Sequence, residues 1–362
     1  MKEHRPSFRQ RMSLNVFNRY VNVQSQLHEL SYLFWECTLR CNIKCIHCGS
    51  DCRSDARFGD MPKEDFLKVT ESVSRMYDPN KVMVVITGGE PLMRKDLEEC
   101  GRELHRQGFP WGFVTNGYAL TRERFGKLLN SGLRSMTISL DGMEANHNWM
   151  RGNPHSFEKA VNAIRLAASA GEEIVYDVVT CVNQRNYAEL HELKDLLVSL
   201  GVKQWRLFVI SPIGRAAENP LLDISNEQLR GVMEFIKSNR KEGIIKPSFG
   251  CEGFLGDYES EVRDGFFFCR AGVNIASILA DGSICACPNI NRDAFSQGNI
   301  YKDDFVTVWN SKYQAMRHRE WTKVGQCKDC KEFKWCRGNG IHLRDTENHD
   351  VLRCHYKMLQ SE

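Results

Sequence analysis

The chain has 362 residues, 42% hydrophobic and 26% charged, an ordinary globular composition that excludes a fibre or a disordered chain and leaves room for about two domains. Lys and Arg number 49 against 46 Asp and Glu, a net charge of +3, too little to make nucleic acid or a membrane surface the main partner. No apolar run exceeds strand length and the N-terminus lacks the apolar stretch of a secretory signal, so no membrane span and a cytoplasmic location are expected. In that compartment 15 cysteines read as metal ligands rather than disulfides.

Residues 1–29 read as a short helical or irregular extension in which Phe8, Phe17, Tyr20 and Val21 are interleaved with Arg5, Arg9, Arg11 and Arg19. This is a helix packed on the open end of a barrel, or a docking helix. It is too short for a self-stable leader-binding module. From there β-branched and aromatic runs alternate with amphipathic stretches. Strands are predicted at 30–36, 81–87, 111–115, 135–140, 174–182 and 204–209, and helices at 63–76, 95–106, 122–130, 157–170, 187–200 and 226–239. Ser156 reads as the cap of one helix, and Ser225 with Gln228 as a capping box before another. Six β-α units in a row imply parallel strands and an α/β fold, a partial (β/α)6 TIM-like barrel over 30–245. After about Ser248 glycines, cysteines and aromatics crowd together and long helices vanish. A segment of that kind, 246–362, needs metal clusters for its stability.

The cysteines are unevenly placed. Five lie between Cys37 and Cys52, Cys100 and Cys181 are isolated, and eight lie between Cys251 and Cys354. The first group contains Cys41, Cys45 and Cys48 just after the first strand. Three thiolates in eight residues can hold a 4Fe–4S cluster with one open iron. A structural zinc site with a fourth ligand from Cys37 or Cys52 is the alternative. Catalytic groups in β/α barrels sit at the C-terminal ends of strands. Gly88-Gly89-Glu90-Pro91 follows the second strand, Thr115-Asn116-Gly117 the third and Ser139-Leu140-Asp141-Gly142 the fourth. Together with the cysteine loop they mark one rim as a site.

With these motifs in hand, the sequence resembles the radical S-adenosylmethionine (SAM) enzymes, whose signature is three cysteines spaced as Cys41, Cys45 and Cys48 are, with an aromatic or histidine before the last, here His47. The resemblance implies that the open iron chelates SAM and that electron transfer from the cluster releases a 5′-deoxyadenosyl radical. By the same resemblance Gly88, Gly89 and Glu90 hold the methionine amino group. Ser139 contacts ribose and Arg151 the methionine carboxylate, unless Arg151 is a surface salt bridge. Asn116 holds the loop or the ligand, Asp141 caps its turn, and Ile210–Arg215 borders the adenine.

Cys327-x-x-Cys330, Cys336 and Cys354, with Cys269 and Cys287 upstream, resemble the SPASM extension of these enzymes, which carries auxiliary 4Fe–4S clusters. That resemblance assigns Cys327, Cys330, Cys336 and Cys354 to the second auxiliary cluster and Cys269, Cys287 and Cys251 to the first. The pattern expects a further cysteine where Gly340 stands. Either Cys285 or His342 substitutes, or one iron stays open, or the first cluster is missing, so one or two auxiliary clusters are expected. A zinc ribbon is the alternative for this region.

The function expected from the resemblance is a radical SAM/SPASM oxidoreductase that modifies a peptide or protein, with ferredoxin or flavodoxin as reductant. Formylglycine formation is disfavoured because Pro288 follows Cys287, where sulfatase-maturing relatives carry an aspartate. The run Cys336 to Gly340 is loosely similar to a subgroup paired with a small lipoprotein. A radical SAM enzyme acting on a small molecule or tetrapyrrole is the alternative among enzymes, and a non-catalytic iron–sulfur or zinc scaffold the alternative outside them.

Overall fold

The computed structural model of the chain describes residues 4–250 and 252–360. It opens with helix α1, Phe8–Leu27. Strand β1 (Tyr32–Thr38) is followed by α2 (Lys63–Met76), β2 (Met83–Gly88), α3 (Leu97–Arg106), β3 (Trp111–Thr115), α4 (Arg122–Asn130) and β4 (Leu133–Ser139). Then come α5 (Glu144–Arg151), α6 (Ser156–Ser169), β5 (Val175–Val182), α7 (Leu190–Ser199), β6 (Gln204–Val209), α8 (Asn226–Glu242) and β7 (Lys246–Phe249). Strands β1 to β7 pair in sequence order and all in parallel. The six expected β-α units are therefore present, extended by β7.

The sheet does not stop at the cysteine-rich region. β8 (Ile275–Ile278) pairs in parallel with the free edge of β1. β9 (Ser283–Cys285) and β10 (Gly298–Asn299) continue it antiparallel. The boundary expected at 245 thus falls between α8 and β7, inside one ten-stranded sheet. One apolar core runs through both parts, with Leu33 and Trp35 of β1 buried in the same cluster as Ala276 and Ile278 of β8. Leu33 and Ile278 each contribute about 1.5–3 kcal/mol of burial.

Charge reinforces this joint. The buried Glu36 carboxylate accepts from Arg292 Nη2 at 2.9 and 3.1 Å and from the Ala280 N–H at 2.9 Å. Burial raises the Glu36 carboxyl and the Arg292 guanidinium opposes that shift.

Local chemistry explains most element ends. Ser225 and Gln228 form the expected capping box at α8. Ser7 and Gln10 form a second at α1. Ser156 is not a cap: it is the first residue of α6, and its hydroxyl donates to the Asn153 carbonyl at 2.8 Å. Nor does α1 cover the barrel's open end. Its buried Leu14 packs with Phe254, Phe267 and Trp335 of the C-terminal region, and Trp335 Nε1 donates to Asn15 Oδ1 at 2.9 Å.

Candidate active site and auxiliary cysteines

The loop carrying Cys41, Cys45 and Cys48 leaves the C-terminal end of β1 and crosses directly over the end of β2. The Thr38 carbonyl accepts from the Gly89 N–H at 2.8 Å and the Arg40 carbonyl from the Glu90 N–H at 2.9 Å. A Cβ on Gly88 would sit 2.1 Å from the Thr38 oxygen, and one on Gly89 2.2 Å from the Arg40 oxygen. What these glycines admit here is the chain's own backbone, so they seat the cysteine loop. The far side of the loop is held alike. A Cβ on Gly152 would lie 2.4 Å from the Lys44 oxygen, and one on Gly214 2.7 Å from the Cys48 oxygen. Arg215 Nε donates to the Cys45 carbonyl at 2.8 Å while its Nη1 pairs with Asp51 at 2.6 Å. Arg215 therefore turns into the loop, whereas Ile210, Ser211 and Pro212 line an open pocket with Leu222 and Arg353.

Cys41, Cys45 and Cys52 are buried in one small cluster, with Cys48 packed against it. Burial pushes the Cys41 thiol up to about 11 and raises Cys45, with Arg151 opposing the latter. Cys48 moves the other way, down to about 6, because the Cys52 thiol donates to it and the Cys52 N–H lies 3.4 Å from its Sγ. Cys52, a candidate fourth ligand in the zinc alternative, is thus brought onto Cys48 by the loop. Cys37, the other fourth ligand considered for zinc, lies in the main core near Arg94 and away from this cluster.

Side-chain N–H groups reach the other two sulfurs. Asn116 Nδ2 lies 3.8 Å from Cys41 Sγ and donates to Asn42 Oδ1 at 2.9 Å. Arg151 Nη1 lies 3.8 Å from Cys45 Sγ. Such donors stabilise thiolate charge and tune a cluster bound to it. His47 Nδ1 is covered and has no hydrogen-bond partner, and burial holds its imidazole down at about 4, hence neutral. Among the described residues no three His, Cys, Asp or Glu side chains close on a single ion. A cubane instead takes one thiolate at each iron corner, and three soft thiols on one loop with N–H donors beside them fit that group.

The remaining rim residues are partly redirected. Glu90 is buried, and its oxygens accept from Leu92 N–H at 3.1 Å, Thr115 Oγ1 at 2.8 Å and Asn116 N–H at 2.8 Å. Its carboxylate thus ties the end of β2 to the end of β3, and burial pushes it up to about 6. Arg151 forms no surface salt bridge: it pairs with Asp141, which is fully buried, through Nε to Oδ2 at 2.6 Å. Asp141 does not cap its own turn. Its Oδ1 accepts from the Cys181 N–H of β5 at 2.9 Å. Ser139, half-buried at the end of β4, has no side-chain partner among the described residues.

Cys327, Cys330, Cys336 and Cys354 line one pocket, with Phe254 and Asn339 among its walls. The Asn339 N–H lies 3.3 Å from Cys336 Sγ, and Arg344 Nη2 lies 3.4 Å from Cys327 Sγ. Four thiols around one space, two of them met by N–H donors, fit a cluster. Cys269 lines a separate cavity beside Cys336, and Cys287 is half-buried against the main core. Cys251 lies outside the described residues. Where the cysteine pattern is broken, a Cβ on Gly340 would meet His342 Cε1 at 2.6 Å and Nδ1 at 2.8 Å. The imidazole occupies the place a cysteine side chain would take. Cys285 lies instead beside Arg292, Asp281 and Glu36.

A profile of the radical SAM superfamily matches residues 35–197, and one of the SPASM iron–sulfur cluster-binding domain matches 269–331. The mycofactocin maturase MftC of Mycolicibacterium smegmatis is 30% identical over 310 residues, 84% of this chain and 76% of that protein. The chain belongs to the radical SAM superfamily and carries a SPASM domain. The AdoMet-dependent heme synthase of Methanosarcina barkeri is 26% identical over 326 residues, 84% of this radical SAM chain and 89% of that one. In fold it is similar to Streptococcus suis SuiB bound to precursor peptide SuiA, at a TM-score of 0.70 and 17% identity over 94% of this chain and 79% of that one. Its cofactors are those of the family: a 4Fe–4S cluster, SAM and auxiliary clusters. No helix among the described residues is long and apolar enough to cross a membrane.

Proposed function

We propose that this radical SAM protein is an oxidoreductase that modifies a peptide or protein. The observation that carries the reading is the cysteine loop seated between Gly88, Gly89, Gly152 and Gly214, with Asn116 and Arg151 N–H groups at two of its three sulfurs. Cys41, Cys45 and Cys48 are assigned as the ligands of the radical cluster. When bound, that cluster and SAM supply a 5′-deoxyadenosyl radical able to take hydrogen from an unactivated C–H bond. Gly88 and Gly89 fix the loop, Glu90 locks the neighbouring strand ends, and Ser139 offers a hydroxyl to the ribose. Arg151 orients the loop through Cys45, and its pairing with Asp141 argues against a primary role on the methionine carboxylate. His47 shields the loop as a neutral ring.

Cys327, Cys330, Cys336 and Cys354 are assigned to one auxiliary cluster, and Cys251, Cys269 and Cys287 to another. The barrel is taken as 30–245 and the auxiliary domain as 246–362, preceded by the extension 1–29. A ferredoxin or flavodoxin supplies electrons, in the cytoplasm. SuiB bound to its precursor peptide supports a polypeptide substrate. The heme synthase likeness, which spans 89% of that relative, favours a second reading, a tetrapyrrole substrate.

Anaerobic reconstitution tests the assignment. Roughly eight to twelve irons per chain are expected, with 5′-deoxyadenosine formed under dithionite. Replacing Cys41, Cys45 and Cys48 together by Ala should abolish that product and leave auxiliary iron bound. A colourless zinc protein would sink the enzymatic reading. Co-expression with peptides encoded beside the gene should give a mass change in the peptide; turnover of a porphyrin in its place would replace the peptide reading by the second.

A further inference from the structure

α1 presents an unusual outer face. Phe8, Met12, Val16, Tyr20, Val23 and Leu27 are each between 49% and 78% exposed. They are spaced by four, four, four, three and four residues, which puts them in one stripe along the helix. They make up half of the exposed large hydrophobic side chains among the described residues. The inner face is already used, through Leu14 and Val21. Scattered exposed apolar residues need no explanation, but six on one face over about 30 Å, with exposed Arg9 and Arg19 between them, mark an interaction surface.

Charge selects the occupant. α1 contains Arg9, Arg11 and Arg19 and no Asp or Glu. Along one flank runs an open groove lined by Arg11, Lys331, Lys334 and Trp335, with Glu332 its one acid. Lys334 Nζ lies 4.2 Å from the Trp335 ring centroid. A second pocket near the start of the helix carries Glu234, Asp257 and Glu261 beside Arg5 and Lys237, and there Lys237 pairs with Glu261 and His4 with Asp257. A partner that covers the stripe therefore meets positive charge on the groove side.

We infer that the outer face of α1 and this groove bind an acidic polypeptide segment carrying large apolar residues, the recognition segment of the substrate. The inference rests on the reading of a peptide substrate. A second copy of the chain fits poorly, since it would bring arginine-bearing, carboxylate-free helices together. A bilayer is flat and leaves the concave groove unfilled. An extended or helical segment fills both, with apolar side chains on the stripe and carboxylates against Arg11, Lys331 and Lys334. The site sits on the auxiliary region, since the groove is also walled by Cys330 and the inner side of α1 contributes Val21 to the cavity containing Cys269.

A random-peptide display selection on the reconstituted full chain tests this. The recovered peptides should be rich in Asp, Glu and large apolar residues. Affinity for the best of them, by fluorescence anisotropy, should fall about tenfold in Val16→Asp and in the pair Lys331→Glu and Lys334→Glu, and should weaken as salt screens the groove. Val16→Ser, a milder change on the exposed stripe, should lie between. SAM cleavage without substrate and iron content should be unchanged in all three. Recovered peptides with no acidic bias, or affinities unmoved by both variants, overturn the inference. So does sedimentation with phosphatidylglycerol-containing vesicles that Val16→Asp abolishes while no peptide binds, or a dimer mass that Val16→Asp converts to a monomer. The two readings fail separately. A peptide modified at unchanged rates by both variants removes the docking site and keeps the substrate class. Acidic peptides bound as expected by an enzyme that turns over only porphyrin keep the binding surface and remove its role in substrate recognition.

Discussion

The Arg151 guanidinium lies between the buried Asp141 carboxylate and the Cys45 thiol, with Nε 2.6 Å from Oδ2 and Nη1 3.8 Å from Sγ. It holds the Asp141 carboxyl below its usual range against the opposing effect of burial. Breaking a buried pair by removing one member costs about 3–5 kcal/mol, because the other charge is left uncompensated. Arg151→Met should therefore lower the melting temperature sharply. Without Arg151, burial alone raises the Asp141 pKa, so protonation relieves the variant in acid. The deficit against wild type should be larger near about pH 7 than near about pH 5. In wild type the contribution of the pair persists above the ordinary Asp value and is lost only as pH falls through the depressed native one. A deficit independent of pH would mean that Asp141 is not the group left stranded.

Two glycines with similar backbone separate strain from space. Gly152 has φ +64° and Gly171 has φ +59°. A Cβ on Gly152 would lie 2.4 Å from the Lys44 oxygen, whereas one on Gly171 meets nothing within 4 Å. Gly171→Ala should cost only the left-handed backbone penalty, about 1–2 kcal/mol, with iron content and SAM cleavage intact. Gly152→Ala should in addition push the Lys44 carbonyl and distort the loop between Cys41 and Cys45. Its expected signature is lost radical-cluster iron and lost 5′-deoxyadenosine with auxiliary iron retained. Equal behaviour of the two variants would show that Gly152 does not seat the loop.

The long, strongly patterned elements were readable from sequence. The helices at 63–76 and 122–130 and the strands at 111–115 and 204–209 coincide with α2, α4, β3 and β6. Their boundaries are written locally, in periodic apolar residues and turn chemistry. α5, which delivers Arg151, was not legible: its eight residues include Asn146, His147 and Asn148, too short and polar for a periodic signal. Strands β7 to β10 have two to four residues each, below the length at which alternation can be seen. The rim motifs were located correctly, but what they touch was not. A glycine that admits a ligand and one that admits a neighbouring carbonyl look identical in sequence. The same holds for Glu90, whose carboxylate is engaged by three donors of its own chain. Cys52 reaches Cys48 only through the path of the folded loop.

Glu90 gives the rim a pH signature. Burial raises its carboxyl from 4.5 to about 6. The folded state therefore holds the proton more tightly than the unfolded chain, so the contribution is fully present below 4.5 and is lost as pH rises through about 6. The loss amounts to about 2 kcal/mol. Glu90→Gln cannot titrate, and its amide cannot accept both from Thr115 and Leu92 at one end and from Asn116 at the other. The stability of the variant relative to wild type should rise by about 2 kcal/mol as pH rises from 4.5 through about 6. Melting temperatures measured across that range check this; a gap that stays constant would mean that Glu90 ionises in the folded protein as it does in the unfolded chain.

The break in the cysteine pattern yields a paired test. A Cβ on Gly340 would come within 2.6 Å of His342 Cε1, 2.8 Å of its Nδ1 and 3.1 Å of the Glu252 carbonyl oxygen. Gly340→Cys alone therefore overpacks the site, at about 1–3 kcal/mol, and should lower the melting temperature without adding iron. Adding His342→Ala removes the ring from that space. The double variant should recover stability and give the first auxiliary cluster a closed thiolate set, seen as a changed auxiliary EPR signal when Cys41, Cys45 and Cys48 are also replaced by Ala. His342→Ala by itself distinguishes packing from ligation. If the ring only fills the space, iron content stays at the wild-type value and the cost is that of a cavity. If it holds iron, the first auxiliary cluster is depleted while the cluster at Cys327, Cys330, Cys336 and Cys354 persists. Gly340→Cys that binds more iron with His342 in place would show that the imidazole swings aside readily and is not what keeps this position free of cysteine.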